Sequence, residues 1–178
     1  NNFDNKHTRV LLLYSWKMRL FSDYAQQIEM ESIGKQANPI SIFKNTGQII
    51  FGGFGSTAQH SYFQLLHQGT ASACADIFTI ESNKSTNKLL YAQSQAQAGL
   101  LSNGPHQQLE SFEQVNGNIP TNLFILKELN PKTLGFLIAT WEHRTYVTAK
   151  MLQINPFDQY GVSAGKIFAK KYLDEHGG

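Results

Sequence analysis

The run Val10-Leu-Leu-Leu-Tyr14 is apolar throughout and is bounded by polar residues. A short, continuous apolar run of this kind predicts a strand that is buried on both faces, as in a parallel sheet. From Trp16 onward, apolar residues recur at helical spacing until Gly34 ends the pattern, which predicts a helix directly after the strand. A buried strand followed by a helix is the unit from which parallel α/β sheets are built.

Strands and helices alternate along the rest of the chain. Further strands are predicted at Gln48–Phe51, Ile77–Ile80 and Leu123–Leu126. The predicted helices are a run through Tyr62 to Gly69, a run from Asn87 to about Leu101, a run opened by Asn130-Pro131 and the segment Val162–Leu173. This alternation predicts a mostly parallel sheet covered on both faces, so the expected fold class is a three-layer α/β sandwich, formed by residues 1–178 as a single domain.

Composition argues against several classes of protein. The 178 residues are 41% hydrophobic and 16% charged, and no apolar run approaches the length of a membrane span, so we expect a soluble protein with no membrane partner. The formal net charge of +2, with lysines and acids interspersed, argues against nucleic acid as a partner, because phosphate contacts need a clustered basic face.

The termini and the cysteine content concern the cellular setting. The chain opens on Asn1 without a secretion signal, and a chain that starts without methionine is either processed or part of something longer. Cys74 is the single cysteine and precedes an apolar run, which predicts a buried, inert thiol in a reducing, cytoplasmic compartment.

Several polar or glycine-rich segments are candidates for function. Gly52–Thr57 is a glycine-rich strand-to-helix loop at the carboxyl edge of the predicted sheet, where α/β folds bind ligands. It matches neither the dinucleotide nor the P-loop spacing, so it is either a phosphate-binding loop or a tight turn. Glu31 and Glu142 lie amid apolar residues, and each is either a paired structural acid or a site residue. His60 and His67 lack a third ligand, so no metal site is predicted.

The stretch Asn155-Pro-Phe-Asp-Gln-Tyr-Gly-Val-Ser-Ala-Gly-Lys166 combines a turn, the polar pair Asp158 and Gln159, and a helix that carries Lys166. A polar loop that delivers a lysine suits a site where an ammonium group meets an oxygen-rich ligand, because the cation neutralises developing charge. The alternative is a helix start followed by a solvated lysine.

Five stretches of this chain, in order, resemble the glucose-6-phosphate isomerase family: Gln26–Lys35, Ser56–Thr70, Ala92–Ala96, Leu134–His143 and Ile154–Lys166. The resemblance implies a sugar-isomerase, flavodoxin-like domain, namely the C-terminal one of the family, with the N-terminal domain absent from this chain. It also implies the interconversion of glucose 6-phosphate and fructose 6-phosphate in glycolysis and gluconeogenesis. In the family's reaction, ring opening of the hexose 6-phosphate is followed by proton transfer between C2 and C1 through an enediolate. The resemblance therefore implies a reaction without a cofactor, in a cytoplasmic homodimer.

The resemblance also assigns roles to individual residues. Lys166 matches the family's lysine that assists ring opening, a catalytic role, and Gln159 matches its substrate-binding glutamine. Other positions depart from the family pattern. The family's catalytic base, a glutamate, falls on Gly53 here, and its histidine from across the dimer interface has no match near Asn83–Asn87.

Smaller departures are Ser56-Thr57 in place of Thr-Asn, Ser163 in place of Glu, and Ile33 in place of Asn. Two hypotheses follow. The chain is either the C-terminal domain of a divergent isomerase, active only with its N-terminal half and a second subunit, or a non-catalytic sugar-phosphate-binding or structural relative. Under both hypotheses we expect the isolated 178 residues to have no substantial activity.

Overall fold

A computed structural model describes residues 7–81, 85–105 and 110–177, with only the backbone described at 85–87. A four-stranded sheet lies at the centre of the fold, and its strands are β1 (Thr8–Leu13), β2 (Ile49–Phe54), β3 (Ala73–Ile80) and β4 (Thr121–Leu126). The strand order is β2-β1-β3-β4 and every pairing is parallel. The predicted parallel sheet is therefore confirmed, with β1 and β3 at its centre.

Helices cover both faces of the sheet. They are α1 (Phe21–Ile33), α2 (Gly55–Ala58), α3 (Phe63–Gln68), α4 (Ser85–Asn103), α5 (Pro131–Leu152) and α6 (Tyr160–His176), and 3₁₀ turns lie at Trp16–Met18 and Ser111–Glu113. Helices α1 and α5 pack on one face, and α2, α3 and α4 pack on the other. The three-layer α/β sandwich predicted from the sequence is confirmed.

The central strand β1 supplies residues to both hydrophobic cores, because successive side chains of a strand point to opposite faces. Val10 and Leu12 lie in the core beneath α3 and α4, together with Phe63 and Ile77. Leu11 and Leu13 lie in the core beneath α1 and α5. That second core is built around aromatic rings: Phe21, Phe78, Phe124 and Trp141. The apolar run that predicted a strand buried on both faces therefore has that environment.

Two helical predictions were wrong in detail. The helix predicted from Trp16 is divided into a 3₁₀ turn and α1, which begins at Phe21. The helix predicted through Tyr62 is divided into α2 and α3, because Tyr62 departs from helical geometry, with φ −127° and ψ 4°, and its ring packs edge-on against Phe51, with ring centroids 5.0 Å apart.

The glycine-rich loop was also wrongly predicted, since Gly52 and Gly53 belong to strand β2. Gly52 has φ +157°, and a Cβ atom there would lie 2.0 Å from the carbonyl oxygen of Leu11. The glycine therefore allows β2 to approach β1 closely, which is a structural reason for its presence.

Helix α6 differs from the other long helices because all of its residues are exposed. Its large apolar side chains are between 49% and 80% exposed: Tyr160, Val162, Ile167, Phe168, Tyr172 and Leu173. A helix that leaves this many large apolar side chains exposed is a candidate interaction surface. None of the residues that the structure describes buries this helix.

Candidate functional site

A groove of about 880 Å³ opens between the loops that follow α1 and α5. α1 is capped by Gly34, whose backbone N–H donates to the Met30 carbonyl, and α5 is capped by Gln153, which is left-handed with φ 58°. A proline lies in the loop after each helix, in Asn38-Pro39 and Asn155-Pro156. The two loops therefore face each other, and the groove is lined by residues 30–31, 34–39, 153–155 and 158–162.

The groove lies toward the amino-terminal edge of the sheet. α1 and α5 follow β1 and β4, so their last turns return to the side on which the strands begin. A neighbouring cavity of about 230 Å³ supports this placement. It is lined by Ile33 and Leu152 from the helix ends and by Arg9 and Gln48 at the start of β1 and β2. Residues 52–57, near the carboxyl edge, contribute nothing to the groove lining.

The two residues assigned to the substrate site have different surroundings. Gln159 lines the groove and is the residue immediately before α6. Lys166 lies on α6 as predicted, is exposed, and makes no side-chain hydrogen bond or ion pair with any residue that the structure describes. It does not line the groove. An exposed, unpaired ammonium group is available to a ligand or to another part of a longer chain.

Lys35 joins the two walls of the groove. Its Nζ donates to the carbonyl oxygen of Asp158 and, at 2.7 Å, to that of Glu31, and it lies 3.5 Å from Oδ1 of Asp158. The second carboxylate oxygen, Oδ2 of Asp158, accepts from Nδ2 of Asn155 at 2.9 Å. The loop before α6 is therefore fixed to the end of α1 by a charged contact. The sequence had no local signal for it, because Lys35 and Asp158 are 123 positions apart.

A buried charge network lies beside the groove, in the wall of the 230 Å³ cavity. Arg9 lies 3.0 Å from Oε2 of Glu29 and 3.6 Å from Oδ2 of Asp76, and Arg144 lies 3.1 Å from the same Asp76 oxygen. Asn122 donates to the other oxygen of Asp76 at 2.8 Å. Each buried carboxylate thus has a cationic partner, as burial of charge requires. The sequence analysis did not single out these residues.

Sequence position Gly53, which matches the family's base, has φ +155°, and a Cβ atom there would meet nothing within 4 Å. The position near Asn83–Asn87, where the family's histidine falls, lies outside the described backbone at 82–84 and outside the described side chains at 85–87. Tyr62 packs against Phe51, which belongs to the same strand as Gly53, and burial raises the pKa of the Tyr62 phenol to about 12. Because glycine has no side chain, Gly53 itself cannot supply a group that transfers a proton.

The remaining candidates are Cys74, Glu31 and Glu142. Cys74 is buried as predicted, and burial raises the pKa of its thiol, which disfavours the reactive thiolate. Glu31 lines the groove, whereas Glu142 is exposed beside a cavity of about 490 Å³. Neither acid forms an ion pair within 7–81, 85–105 and 110–177, so the structure does not show either to be a paired structural acid. In the same ranges no cluster of His, Cys, Asp or Glu could hold a metal ion, and no helix is long and apolar enough to cross a membrane.

The all-parallel sheet of order 2-1-3-4 with helices on both faces defines a doubly wound, flavodoxin-like α/β domain. A sequence model of the family described as phosphoglucose isomerase matches residues 1–177. The chain therefore belongs to the phosphoglucose isomerase family.

Individual relatives agree with this assignment. The chain is 36% identical to glucose-6-phosphate isomerase of Acinetobacter venetianus and 40% identical to that of Wigglesworthia glossinidia brevipalpis, over 97% and 96% of its length. A crystal structure of a glucose-6-phosphate isomerase from Chlamydia trachomatis superposes with a TM-score of 0.86 at 30% identity, and the match covers 95% of this chain. A hypothetical protein from Thermus thermophilus, with a TM-score of 0.77 at 20% identity, shares the fold.

The chain spans about 35% of the length of each of these named isomerases.

Proposed function

We propose that this chain is the C-terminal part of a longer enzyme that interconverts glucose 6-phosphate and fructose 6-phosphate. The observation that carries the proposal is the family match over residues 1–177, with Gln159, which resembles the family's substrate-binding glutamine, placed in the groove. The reaction transfers a proton within the sugar and needs no cofactor.

The proposed chemistry assigns different tasks to the two site residues. Lys166 assists opening of the hexose ring, because a cation near the sugar oxygens stabilises the negative charge that grows in the transition state. Gln159 binds the sugar through its side-chain amide, which both donates and accepts hydrogen bonds. Lys166 is exposed and unpaired within the described ranges, so its ammonium group is free to meet substrate.

The partner that we propose for α6 is the remaining part of the family's chain. This helix exposes its apolar side chains along its whole length, and the relatives are about three times as long as this chain, as the 35% coverage shows. Burial of such side chains contributes about 25 cal/mol for each Å² of apolar area.

We also propose a homodimer in the cytoplasm and a sugar-isomerase-type domain over 1–178, which the family resemblance supports.

The test is an isomerase assay on the full-length protein, coupled to a dehydrogenase specific for glucose 6-phosphate. We expect turnover of fructose 6-phosphate, and we expect Lys166→Ala to lower kcat by about 10²-fold or more. Lys170→Ala is the matched control, since it removes an exposed lysine one turn further along α6, and it should retain activity. An equal loss in both variants would contradict the role of Lys166.

A second candidate function is sugar-phosphate binding without catalysis. Gly53 favours it, because this residue offers no carboxylate at the position of the family's base. Loss of a general base costs about 10²–10⁴-fold in rate. Binding of fructose 6-phosphate by calorimetry without detectable turnover would establish this function and refute the first.

A further inference from the structure

We propose that Lys35 is a positioning residue for the substrate site: it sets the orientation of Gln159 and of the first turn of α6, which leads to Lys166. This inference rests on the proposed function for its catalytic consequence. Its structural content stands on the contacts between Lys35 and Asp158 alone.

Each N–H donor of the Lys35 ammonium group has an acceptor among the described residues. An ammonium has three donors, and three acceptors lie around it: the carbonyl oxygens of Glu31 and Asp158 and the carboxylate oxygen Oδ1 of Asp158. The side chain is only 15% exposed and that of Asp158 only 25%, so water screens the pair weakly. The other end of Lys35 is also held, since its own carbonyl accepts a hydrogen bond from Thr46.

On the α6 side of the groove, the Lys35 ammonium group donates to a backbone atom, the carbonyl oxygen of Asp158. The carbonyl of Asp158 and the N–H of Gln159 belong to one rigid peptide plane. A donor bound to that carbonyl therefore fixes the plane from which the Gln159 side chain departs. Gln159 is the N-cap of α6, and its carbonyl accepts from the backbone N–H of Ser163 at 3.0 Å. The orientation of this peptide is thus passed on to the helix.

Helix α6 depends on its first turn for its direction, because all of its residues are exposed. Among the residues that the structure describes, the loop before it has one further tie to the opposite wall of the groove, from Nδ2 of Asn38 to the carbonyl of Gln153 at 2.9 Å. That tie lies at the start of the loop, five positions before Asp158. Lys35 is therefore the contact that holds the end of the loop from which Gln159 and α6 emerge.

The first experiment measures structure without reference to activity. Hydrogen exchange of the full-length protein, followed by mass spectrometry, should show the amides of 155–166 exchanging about 10-fold faster in Lys35→Met than in the wild type. Lys44→Met is the matched control. Lys44 lies in the same connection, and among the described residues its Nζ donates only within its own loop, to the carbonyls of Ser41 at 2.8 Å and Pro39 at 3.5 Å. Unchanged exchange at 155–166 in Lys35→Met would overturn the inference.

The second experiment separates positioning from general stability by a double-mutant cycle in the coupled assay. Lys35→Met alone should lower kcat about 10-fold or more, since small misplacements of reacting groups are costly. In a Lys166→Ala background the same change should lower kcat less than about 3-fold, because residues that act through one another are non-additive. Independent, multiplying losses would assign Lys35 a purely structural role.

Two further outcomes are informative. Asp158→Asn keeps the backbone acceptor but removes the charge and one of the two carboxylate acceptors, so it should accelerate exchange at 155–166 relative to the wild type, and less than Lys35→Met does. If Lys35→Met does not fold, faster exchange in Asp158→Asn than in the wild type supports the inference and unchanged exchange overturns it. A full-length wild type without isomerase activity would refute the proposed function and leave the exchange result to decide the inference about Lys35.

Discussion

The ring of Tyr14 lies directly against the backbone of Gly55: a Cβ atom on Gly55 would come within 2.6 Å of Cζ of Tyr14. Both residues are buried, Tyr14 at the end of β1 and Gly55 at the start of α2. Gly55→Ala must therefore displace a packed aromatic ring, which costs about 1–3 kcal/mol of unfolding free energy. The measurement is urea unfolding. Gly135→Ala, in an exposed turn of α5 with nothing within 4 Å of its Cβ position, should instead be neutral or stabilising.

Arg9 and Glu29 form a buried ion pair whose loss should be costly. Their side chains are only 6% and 4% exposed, and Nη2 of Arg9 lies 3.0 Å from Oε2 of Glu29. Arg9→Met leaves Glu29 charged and without this partner, so we expect a loss of about 3–5 kcal/mol in the free energy of unfolding. The exposed pair Lys171–Glu175, 3.8 Å apart, provides the control, and Lys171→Met should change stability by less than about 0.5 kcal/mol.

A double variant tests whether the unpaired charge of Glu29 causes the loss of stability. Arg9→Met combined with Glu29→Leu removes both charges, and Asp76 keeps Arg144 and Asn122 as partners. Because replacement of a whole buried pair by apolar groups is often close to neutral, the double variant should be more stable than Arg9→Met alone. A double variant that is less stable than Arg9→Met would show that the loss comes from packing and not from the unpaired charge.

His67 should make stability depend on pH. Burial lowers the pKa of its imidazole below the ordinary 6.5, and a hydrogen bond to Gln97 at 2.9 Å opposes this only in part. Between the lowered pKa and 6.5 the unfolded chain binds more protons than the folded protein, so the contribution of His67 is complete above pH 6.5 and is lost as the pH falls through that range. Urea unfolding at a series of pH values should show that the unfolding free energy falls less steeply below pH 7 in His67→Gln than in the wild type. His60→Gln, at an exposed position, should show the same fall as the wild type.

Local patterns predicted most of the fold. The apolar run in β1 predicted burial on both faces, and Asn130-Pro131 predicted the start of α5, where Oδ1 of Asn130 accepts from the N–H of Thr133 at 2.9 Å. Both signals are carried by neighbouring residues. The turn between α2 and α3 was not predicted, because it depends on Tyr62 packing against Phe51.

The candidate site could be predicted only in part, because some of its contacts join residues that lie far apart in the sequence. The resemblance to a known family pointed to Gln159 and Lys166, and the structure places the first in the groove and the second on exposed α6. Two contacts join distant segments, namely Lys35 with Asp158 and Arg9 with Glu29. No local spacing in the sequence predicts either contact. The groove itself exists only because the ends of α1 and α5 come together in the fold.

Helix α6 yields a prediction about the longer protein. If its apolar face packs against the remaining part of the chain, Phe168→Lys should destabilise the full-length protein by about 2–4 kcal/mol, because a charge would be buried in an apolar interface. Phe168 is 71% exposed here, so the same change should leave the thermal stability of these 178 residues almost unaltered. Equal effects on both proteins would contradict packing of α6 against the rest of the chain.

Two adjacent glycines allow a direct test of the missing base. At Gly53 a Cβ atom meets nothing within 4 Å, whereas at Gly52 it would lie 2.0 Å from the Leu11 carbonyl oxygen. Gly53→Glu therefore has room for its Cβ atom, although φ +155° adds backbone strain of about 1–3 kcal/mol. In this chain Gln159 lines a groove at the opposite edge of the sheet from Gly53, so the test requires the full-length protein. If the longer chain brings Lys166 and substrate to Gly53 and the divergent enzyme lacks only its base there, Gly53→Glu should raise kcat for fructose 6-phosphate by about 10²-fold. Gly52→Ala should prevent stable folding, which circular dichroism would show. A folded Gly53→Glu protein with unchanged kcat would mean that another carboxylate already serves as the base or that the rest of the site is lost, and the fructose 6-phosphate turnover of the wild type separates those two outcomes.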